Sequence, residues 1–326
     1  MKCKLTALIL CLVMVVGLIS GCGSAPAVSS EAPASSAAPA DSTAPAPAPA
    51  NYSVYLITMD QMDQHWVNVD AGCKKAAAEL GNIKYTWLAP DVKDDAKQIE
   101  CINNAVAGGA NAILLAANGP DAVTSSLKEA EAAGVKIIYV DSAADFPAIQ
   151  TLATDNKAAG TTAGKEMIAA LEAAGTKEGK IGIVNVNAAT ASTVAREEGF
   201  RAAFEGSKFT ILETQYGDGD AAKSKDIAAN YITQGCVGVF GANEGSTVGT
   251  GNAIQEAGGK VIGVGFDKSD TILNLIKSDF LLCTMAQNPD VMGYEGMKTA
   301  AKALAGENTG DANVDTGVSV INKAAL

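Results

Sequence analysis

Three short, continuously apolar runs between Gly235 and Asn288 constrain the fold of this chain more than any other stretch. Residues 237–242 (Val-Gly-Val-Phe-Gly-Ala) end at Asn243, and residues 261–266 (Val-Ile-Gly-Val-Gly-Phe) end at Asp267. Residues 281–286 (Leu-Leu-Cys-Thr-Met-Ala) end at Gln287. Runs of this length without polar alternation are the pattern of strands covered on both faces, as in parallel sheets. Ligands of open α/β sheets bind outside the carboxyl ends of the strands. Asn243, Asp267 and Gln287 would therefore aim two amides and a carboxylate at one crevice, hydrogen-bonding chemistry that suits a neutral polyol.

The rest of the chain repeats this grammar. Strands are expected at 52–58, 83–88, 112–116 and 135–140, the last reaching Asp141. Helices are expected between them at 66–80, 96–107 and 121–133, with Gly81 and Gly134 as stops. After a strand at 149–153 the alternation restarts: helices at 157–174, 195–205 and 221–232, strands at 180–186 and 210–215. The three apolar runs follow, separated by helices at 247–257 and 270–276, before a helix at 292–304 and a strand at 318–321. Two consecutive series of βα units imply an α/β protein of two doubly wound parallel-sheet lobes with a cleft between them.

The N-terminus reads differently. Lys2 and Lys4 precede an apolar run over residues 5–19, the layout of a secretory signal peptide. The run is short for a membrane span, which needs ~20 residues. It closes in Leu18-Ile19-Ser20-Gly21-Cys22, which resembles the lipobox of bacterial lipoproteins and implies cleavage after residue 21 and a lipid anchor on Cys22. An ordinary signal peptide with a chance Gly-Cys is the competing reading. Residues 22–50 are almost entirely Ala, Pro, Ser and Thr, too poor in apolar surface to offset chain entropy, and are expected to form a disordered tether. The folded part would then stand outside the cytoplasmic membrane, held to its surface.

Composition excludes several functions. A formal charge of -12 argues against nucleic acid, which requires clustered Lys and Arg. One histidine, His65, leaves little room for His-based metal sites or His-assisted nucleophiles. No Cys pair has CxxC spacing, and Cys73, Cys101, Cys236 and Cys283 fit free core thiols better than disulfides. Gly217-Asp218-Gly219-Asp220 lacks the later ligands of a calcium loop and reads as a solvated turn. Gly263-Val264-Gly265 lacks the third glycine of a dinucleotide fingerprint. No cofactor, no metal and no enzymatic activity are expected.

The ordered landmarks carry a resemblance. They are Trp66-Val67-Asn68-Val69-Asp70-Ala71-Gly72, Asp155-Asn156, Arg196-Glu197-Glu198-Gly199-Phe200, Asn243-Glu244, Val264-Gly265-Phe266-Asp267 and Ala286-Gln287. From Tyr52 onward the chain resembles type I periplasmic-type sugar-binding proteins of the ribose/galactose class, the capturing component of an ABC transporter. The resemblance implies three hinge crossovers, near Asp155, near Gln287–Asn288 and near residues 315–317. The lobes would comprise residues 51–155 plus 288–316 and residues 156–287 plus 317–326. Arg196 would donate to ring and hydroxyl oxygens, Asp141 and Asp267 would accept from hydroxyls, Asn243 and Gln287 would do both, and Trp66 would stack on the sugar. Asp63, His65 and Asn118 would complete the contacts. The implied partner is an ABC permease, and the receptor is expected to act as a monomer.

Departures from the family concentrate on one wall. Ser142 follows Asp141 where ribose binders carry an arginine, His65 stands where a second aromatic is usual, Asp63 lies near a usual asparagine, and Gly219 replaces an aromatic. Asn243, Asp267 and Asp141 also suit helix-capping positions. A sensor of a furanose autoinducer or nucleoside, presenting it to a signalling partner, is the alternative role for the same fold.

Overall fold

The three apolar runs become adjacent strands at the centre of one sheet, and the strands of the first βα series form a second. A computed structural model describes residues 51–326; the expected signal peptide, Cys22 and the tether lie outside the described residues. The first series comprises β1 (Tyr52–Ile57), α1 (Gln64–Leu80), β2 (Ile83–Leu88), α2 (Asp95–Ala107) and β3 (Ala112–Leu115). It continues with α3 (Thr124–Ala132), β4 (Lys136–Val140) and β5 (Thr151–Ala153). The second begins with α4 (Asn156–Ala173), β6 (Gly179–Asn185), α5 (Ala191–Ala203), β7 (Phe209–Ile211) and β8 (Gln215–Tyr216). Next come α6 (Ala221–Thr233), β9 (Cys236–Gly241), α7 (Glu244–Glu256), β10 (Ile262–Phe266), α8 (Asp270–Lys277) and β11 (Cys283–Gln287). The chain closes with α9 (Pro289–Ala305), β12 (Asn313–Asp315) and β13 (Val318–Asn322).

The first sheet runs β12-β5-β4-β3-β1-β2 and the second β13-β11-β10-β9-β6-β7, with β8 also on β6. Both place their reversal of strand order at the same point, between β1 and β3 in one and between β6 and β9 in the other. The crevice at such a reversal is where an open sheet receives a ligand. All pairings are parallel except β13 on β11. The protein consists of two α/β lobes. The chain passes between sheets three times: after β5, after β11 and between β12 and β13, with α9 returning to pack on α1 and β4. The three connections lie together. Thr154 Oγ1 donates to Gly317 O at 3.3 Å, the Asp155 N–H to Asp315 at 3.2 Å, and Asn288 Nδ2 to Thr316 O at 2.8 Å.

Glycines let one helix pair in each lobe, α1–α9 and α4–α5, meet at backbone distance. A Cβ on Gly72 would lie 2.1 Å from Asp290 O, and one on Gly293 2.0 Å from Val69 O, at the α1–α9 contact. At the α4–α5 contact, a Cβ on Gly160 would lie 2.0 Å from Arg196 O and one on Gly199 2.0 Å from Lys157 O. These contacts fix where His65 and Arg196, at the cleft ends of α1 and α5, enter the cleft. Cys73, Cys101, Cys236 and Cys283 are free thiols, and burial pushes Cys236 up to about 11.

Three local expectations are corrected. The strand expected at 210–215 is split into β7 and β8, because residues 212–214 turn away to receive Arg201 NH2 at Leu212 O and Thr214 Oγ1. α5 starts at Ala191 rather than 195, since its first turn is buried against the cleft through Ser192 and Thr193. β12 was not foreseen: Asn-Val-Asp has no apolar run, and only pairing with β5 makes it a strand.

Gly199→Ala should destabilise the protein without altering its secondary structure, because the methyl collides with main chain that cannot yield locally. Overpacking of this kind costs ~1–3 kcal/mol, and at roughly 2–4 °C per kcal/mol a calorimetric midpoint should fall by several degrees. An unchanged midpoint would show that the α4–α5 contact is not limiting.

Candidate functional site

Asn118, Asp141, Asn243, Asp267 and Gln287 sit at or just beyond the carboxyl end of a strand, whereas Asp63, His65 and Trp66 open α1 and Arg196 lies in α5. Asp141 follows β4 and Asp267 follows β10, one per lobe, and both have left-handed backbone, φ 68° and 72°. Their N–H groups donate to the neighbouring strand, Asp141 to Leu152 O at 2.8 Å and Asp267 to Met285 O at 3.0 Å. Asp tolerates this conformation better than most side chains, yet a non-glycine residue there carries strain that clusters at functional positions. The two lobes thus present matched carboxylates to the cleft.

Arg196 is 2% exposed and held from three sides by its own lobe. Its Nε donates to Asn156 Oδ1 at 2.7 Å, its NH1 to Ala242 O at 3.0 Å, and its guanidinium lies 4.3 Å over the Phe266 ring. NH2 has no hydrogen-bond partner and lies 3.7 Å from Asp141 across the cleft. The fork is immobilised with one donor arm free.

His65 forms the opposite wall. Its Nε2 lies 3.0 Å from Asp141, an ion-pair distance without hydrogen-bond directionality, and its Nδ1 lies 3.6 Å from Asp267. Burial opposes charge on the ring, but Asp141 and Asp267 outweigh it and raise its pKa above 6.5. Burial likewise pushes Asp141 up, but contact with His65 and the nearby Arg196 charge hold it below 3.8. Gln287 Nε2 donates to Asp267 at 2.6 Å. Asn243 caps α7 by accepting from the Ser246 N–H at 3.0 Å, which leaves its Nδ2 unpartnered.

These groups enclose a small inner cavity lined by Asp63, His65, Trp66, Asp141, Arg196, Asn243, Asp267 and Gln287, together with Met59, Lys93, Val186, Ser192 and Thr193. Its volume is about 20 Å³, room for one water. A cleft of about 1380 Å³ adjoins it and shares Asp63, His65, Lys93, Asp267 and Gln287 as the dividing wall. The lobes touch over the cavity: the Ser192 N–H donates to Ser142 Oγ at 3.3 Å, and Thr190 Oγ1 to Asn118 O at 2.7 Å. Asn118 stands apart from the other expected residues. It lines neither space; its Nδ2 donates to Asp95 at 2.5 Å. Trp66 reaches the cavity while packed in the first-lobe core, edge-on to His65 at 4.6 Å, with its Nε1 unpartnered.

Three residues escaped sequence reasoning. Lys93 is buried between Asp60 and Asp63, with Asp63 at 2.9 Å. Burial disfavours its charge, but Asp63 and Asp60 outweigh that and raise its pKa above 10.5. Gly219, from the other lobe, leaves room for this ammonium: a Cβ there would lie 2.9 Å from Nζ. A lone Lys in a polar loop carries no sequence signal. Glu244 accepts from the His65 N–H at 3.1 Å, and burial followed by repulsion from Asp63 and Asp267 lifts it to about 7. Asn156, the residue that seats Arg196, could have been suspected from the Asp-Asn pair at the crossover. Among the described residues no group of three or more His, Cys, Asp or Glu is arranged to hold a metal ion.

Residues 54–308 match the periplasmic binding protein domain. The chain belongs to the periplasmic binding protein family. Relatives include the ribose import binding protein of Haemophilus influenzae, 30% identical over 85% of this chain and 93% of that protein. The corresponding Escherichia coli protein is 29% identical over 80% and 87%. Among solved structures, a carbohydrate transporter solute-binding protein from Agrobacterium radiobacter in complex with D-arabinose superposes with a TM-score of 0.80 at 34% identity, covering 84% of this chain and 95% of that one. A solute-binding protein from Agrobacterium vitis with bound D-fucose gives 0.79 at 31% identity, covering 83% and 96%. The family is one of solute-binding proteins, and this chain is a binding protein rather than an enzyme.

The folded pKa values of His65 and Glu244 lie above their ordinary 6.5 and 4.5. The stability each contributes is complete below its ordinary value and is lost as pH rises through its folded value. Unfolding free energy from urea titration should therefore fall between about pH 5 and pH 8, and His65→Gln should flatten the part above 6.5. Wild-type stability that rises over this interval would contradict the electrostatic picture.

Proposed function

We propose that this protein captures a monosaccharide between its two lobes and delivers it to an ABC permease, working as a monomer outside the cytoplasmic membrane and held there by lipid on Cys22. The first lobe comprises residues 51–155 plus 288–316, and the second residues 156–287 plus 317–326. One observation carries the reading: Trp66 Nε1, Arg196 NH2, Asn243 Nδ2 and Gln287 Oε1 are buried polar atoms without partners, and all four residues line one cavity. Buried polar groups are normally satisfied. Three donors and an acceptor beside the Asp141 and Asp267 carboxylates match a ring carrying several hydroxyls, each able to donate and accept. The relatives named for ribose import and the structures holding D-arabinose and D-fucose support the same ligand class.

Binding requires the lobes to part, because the inner cavity holds one water where a sugar ring must sit. Opening breaks the His65–Asp267 and Arg196–Asp141 contacts, and the sugar replaces them with its hydroxyls as the lobes close. Selectivity follows from satisfaction: a sugar lacking one hydroxyl leaves a buried partner unpaired at ~1–3 kcal/mol. No bond is made or broken.

A thermal-unfolding panel of pentoses, hexoses and nucleosides tests the ligand class. Ligand at 100 times its Kd adds ~2.7 kcal/mol, so a binding sugar should raise the midpoint by several degrees at roughly 2–4 °C per kcal/mol. A response to nucleosides with none to sugars would overturn the sugar reading. Arg196→Ala and Asp267→Ala should each weaken that sugar by ~2–5 kcal/mol, roughly thirtyfold or more in Kd by calorimetry. Unchanged affinity in both would refute the assignment of the cavity.

A further inference from the structure

α1 lacks a helix cap from its own lobe. Asp63 occupies the N-cap position with extended backbone, but its side chain makes no cap hydrogen bond, being drawn to Lys93 at 2.9 Å instead. The first N–H groups of a helix need acceptors, and an N-cap side chain normally supplies one. Here the acceptor comes from the facing lobe. Glu244, the first residue of α7, receives the His65 N–H at 3.1 Å and also bonds the Gln64 backbone. His65 is the residue that faces Asp141 and Asp267 in the cavity wall.

We propose that Glu244 is the closure-positioning residue of this receptor: it caps α1 from the opposite lobe only when the lobes meet, and so seats His65 against the bound solute. The proposal rests on the reading of the cleft as a solute site that opens and closes. When the lobes part, the α1 N–H groups turn to water and Glu244 regains hydration, so the contact stabilises the closed form over the open one. Four titratable groups face Glu244 or its partners. Asp63 and His65 come from the start of α1, Asp267 comes from the end of β10, and Lys93 is neutralised by Asp60 and Asp63. Closing the cleft buries Glu244 and brings Asp63 of the facing lobe against it, adding to the repulsion from Asp267 of its own lobe, and so favours a proton on Glu244. The neutral acid still offers its carbonyl oxygen to the α1 N–H groups.

The sign of the linkage follows. Closed, Glu244 titrates at about 7, and rehydration on opening should return it toward the ordinary 4.5. Closure is helped by this group below the ordinary value, and the help is lost as pH rises through the closed one. Its share of affinity should fall about tenfold from pH 6 to pH 8. Glu244→Gln keeps the acceptor and removes the titration, whereas Glu244→Ala removes both.

The test measures Kd for wild type, Glu244→Gln and Glu244→Ala at pH 6 and pH 8. The probe is D-ribose or D-arabinose, whichever the thermal panel registers, or adenosine if only the nucleosides register. The ratio of wild-type to Glu244→Gln Kd should rise about tenfold between the two pH values. Glu244→Ala should bind about fivefold more weakly than Glu244→Gln at both, the size of a lost cap. Taking the ratio cancels titration of His65, which both proteins share. A ratio independent of pH, or equal affinities for the Gln and Ala variants, would overturn the proposal. If adenosine proves to be the probe, the sugar reading fails while this comparison still stands.

Discussion

The buried guanidinium of Arg196 is the constraint around which the rest is arranged. An unpaired charge in a protein interior is costly, and removing one partner of a buried pair is worse than never having had the pair. Arg196 therefore dictates what surrounds it. Asn156 must open α4 so that its Oδ1 meets Nε, β9 must end with Ala242 O beside NH1, and Phe266 must close β10 with its ring under the guanidinium. Gly160 and Gly199 set how closely α4 and α5 approach, and so where the base of the arginine lies. What remains is one donor arm facing the cleft, which the protein leaves for whatever enters.

The two lobes solve the same problem with the same parts and then diverge. Each reverses strand order at the same point, each joins one helix pair through glycines, and each ends its fourth or equivalent strand in a left-handed aspartate. The walls facing each other differ in chemistry. The second lobe presents two amides, a carboxylate and the arginine fork, with Glu244 beside them lifted by burial to about 7. The first presents His65 and the Asp60–Lys93–Asp63 cluster, where every member titrates or is paired.

Much of this was legible in the sequence because parallel sheets leave a strong imprint. Continuous apolar runs marked the central strands, and the polar residue after each run marked a cavity-lining residue: Asn243, Asp267, Gln287 and Asp141 all line the inner cavity. What the sequence hid was tertiary. β12 exists only through its partner β5, and β7 and β8 separate because Arg201 pulls the connecting residues aside. Asn118 has the right residue type at the right strand end, but Asp95 draws its amide away. Lys93 and Glu244 could not be found by spacing, since Lys93 is placed by a loop folding onto Asp60 and Asp63 and Glu244 acquires its partner from the opposite side of the cleft.

The most direct measurement is a crystal structure of the protein with the sugar that binds it. The account predicts the ring between the lobes, with its hydroxyls within hydrogen-bond distance of Arg196 NH2, Asn243 Nδ2, Asp141 and Asp267, and His65 displaced from Asp267. A sugar bound elsewhere, with the Arg196–Asp141 and His65–Asp267 contacts unchanged, would contradict it.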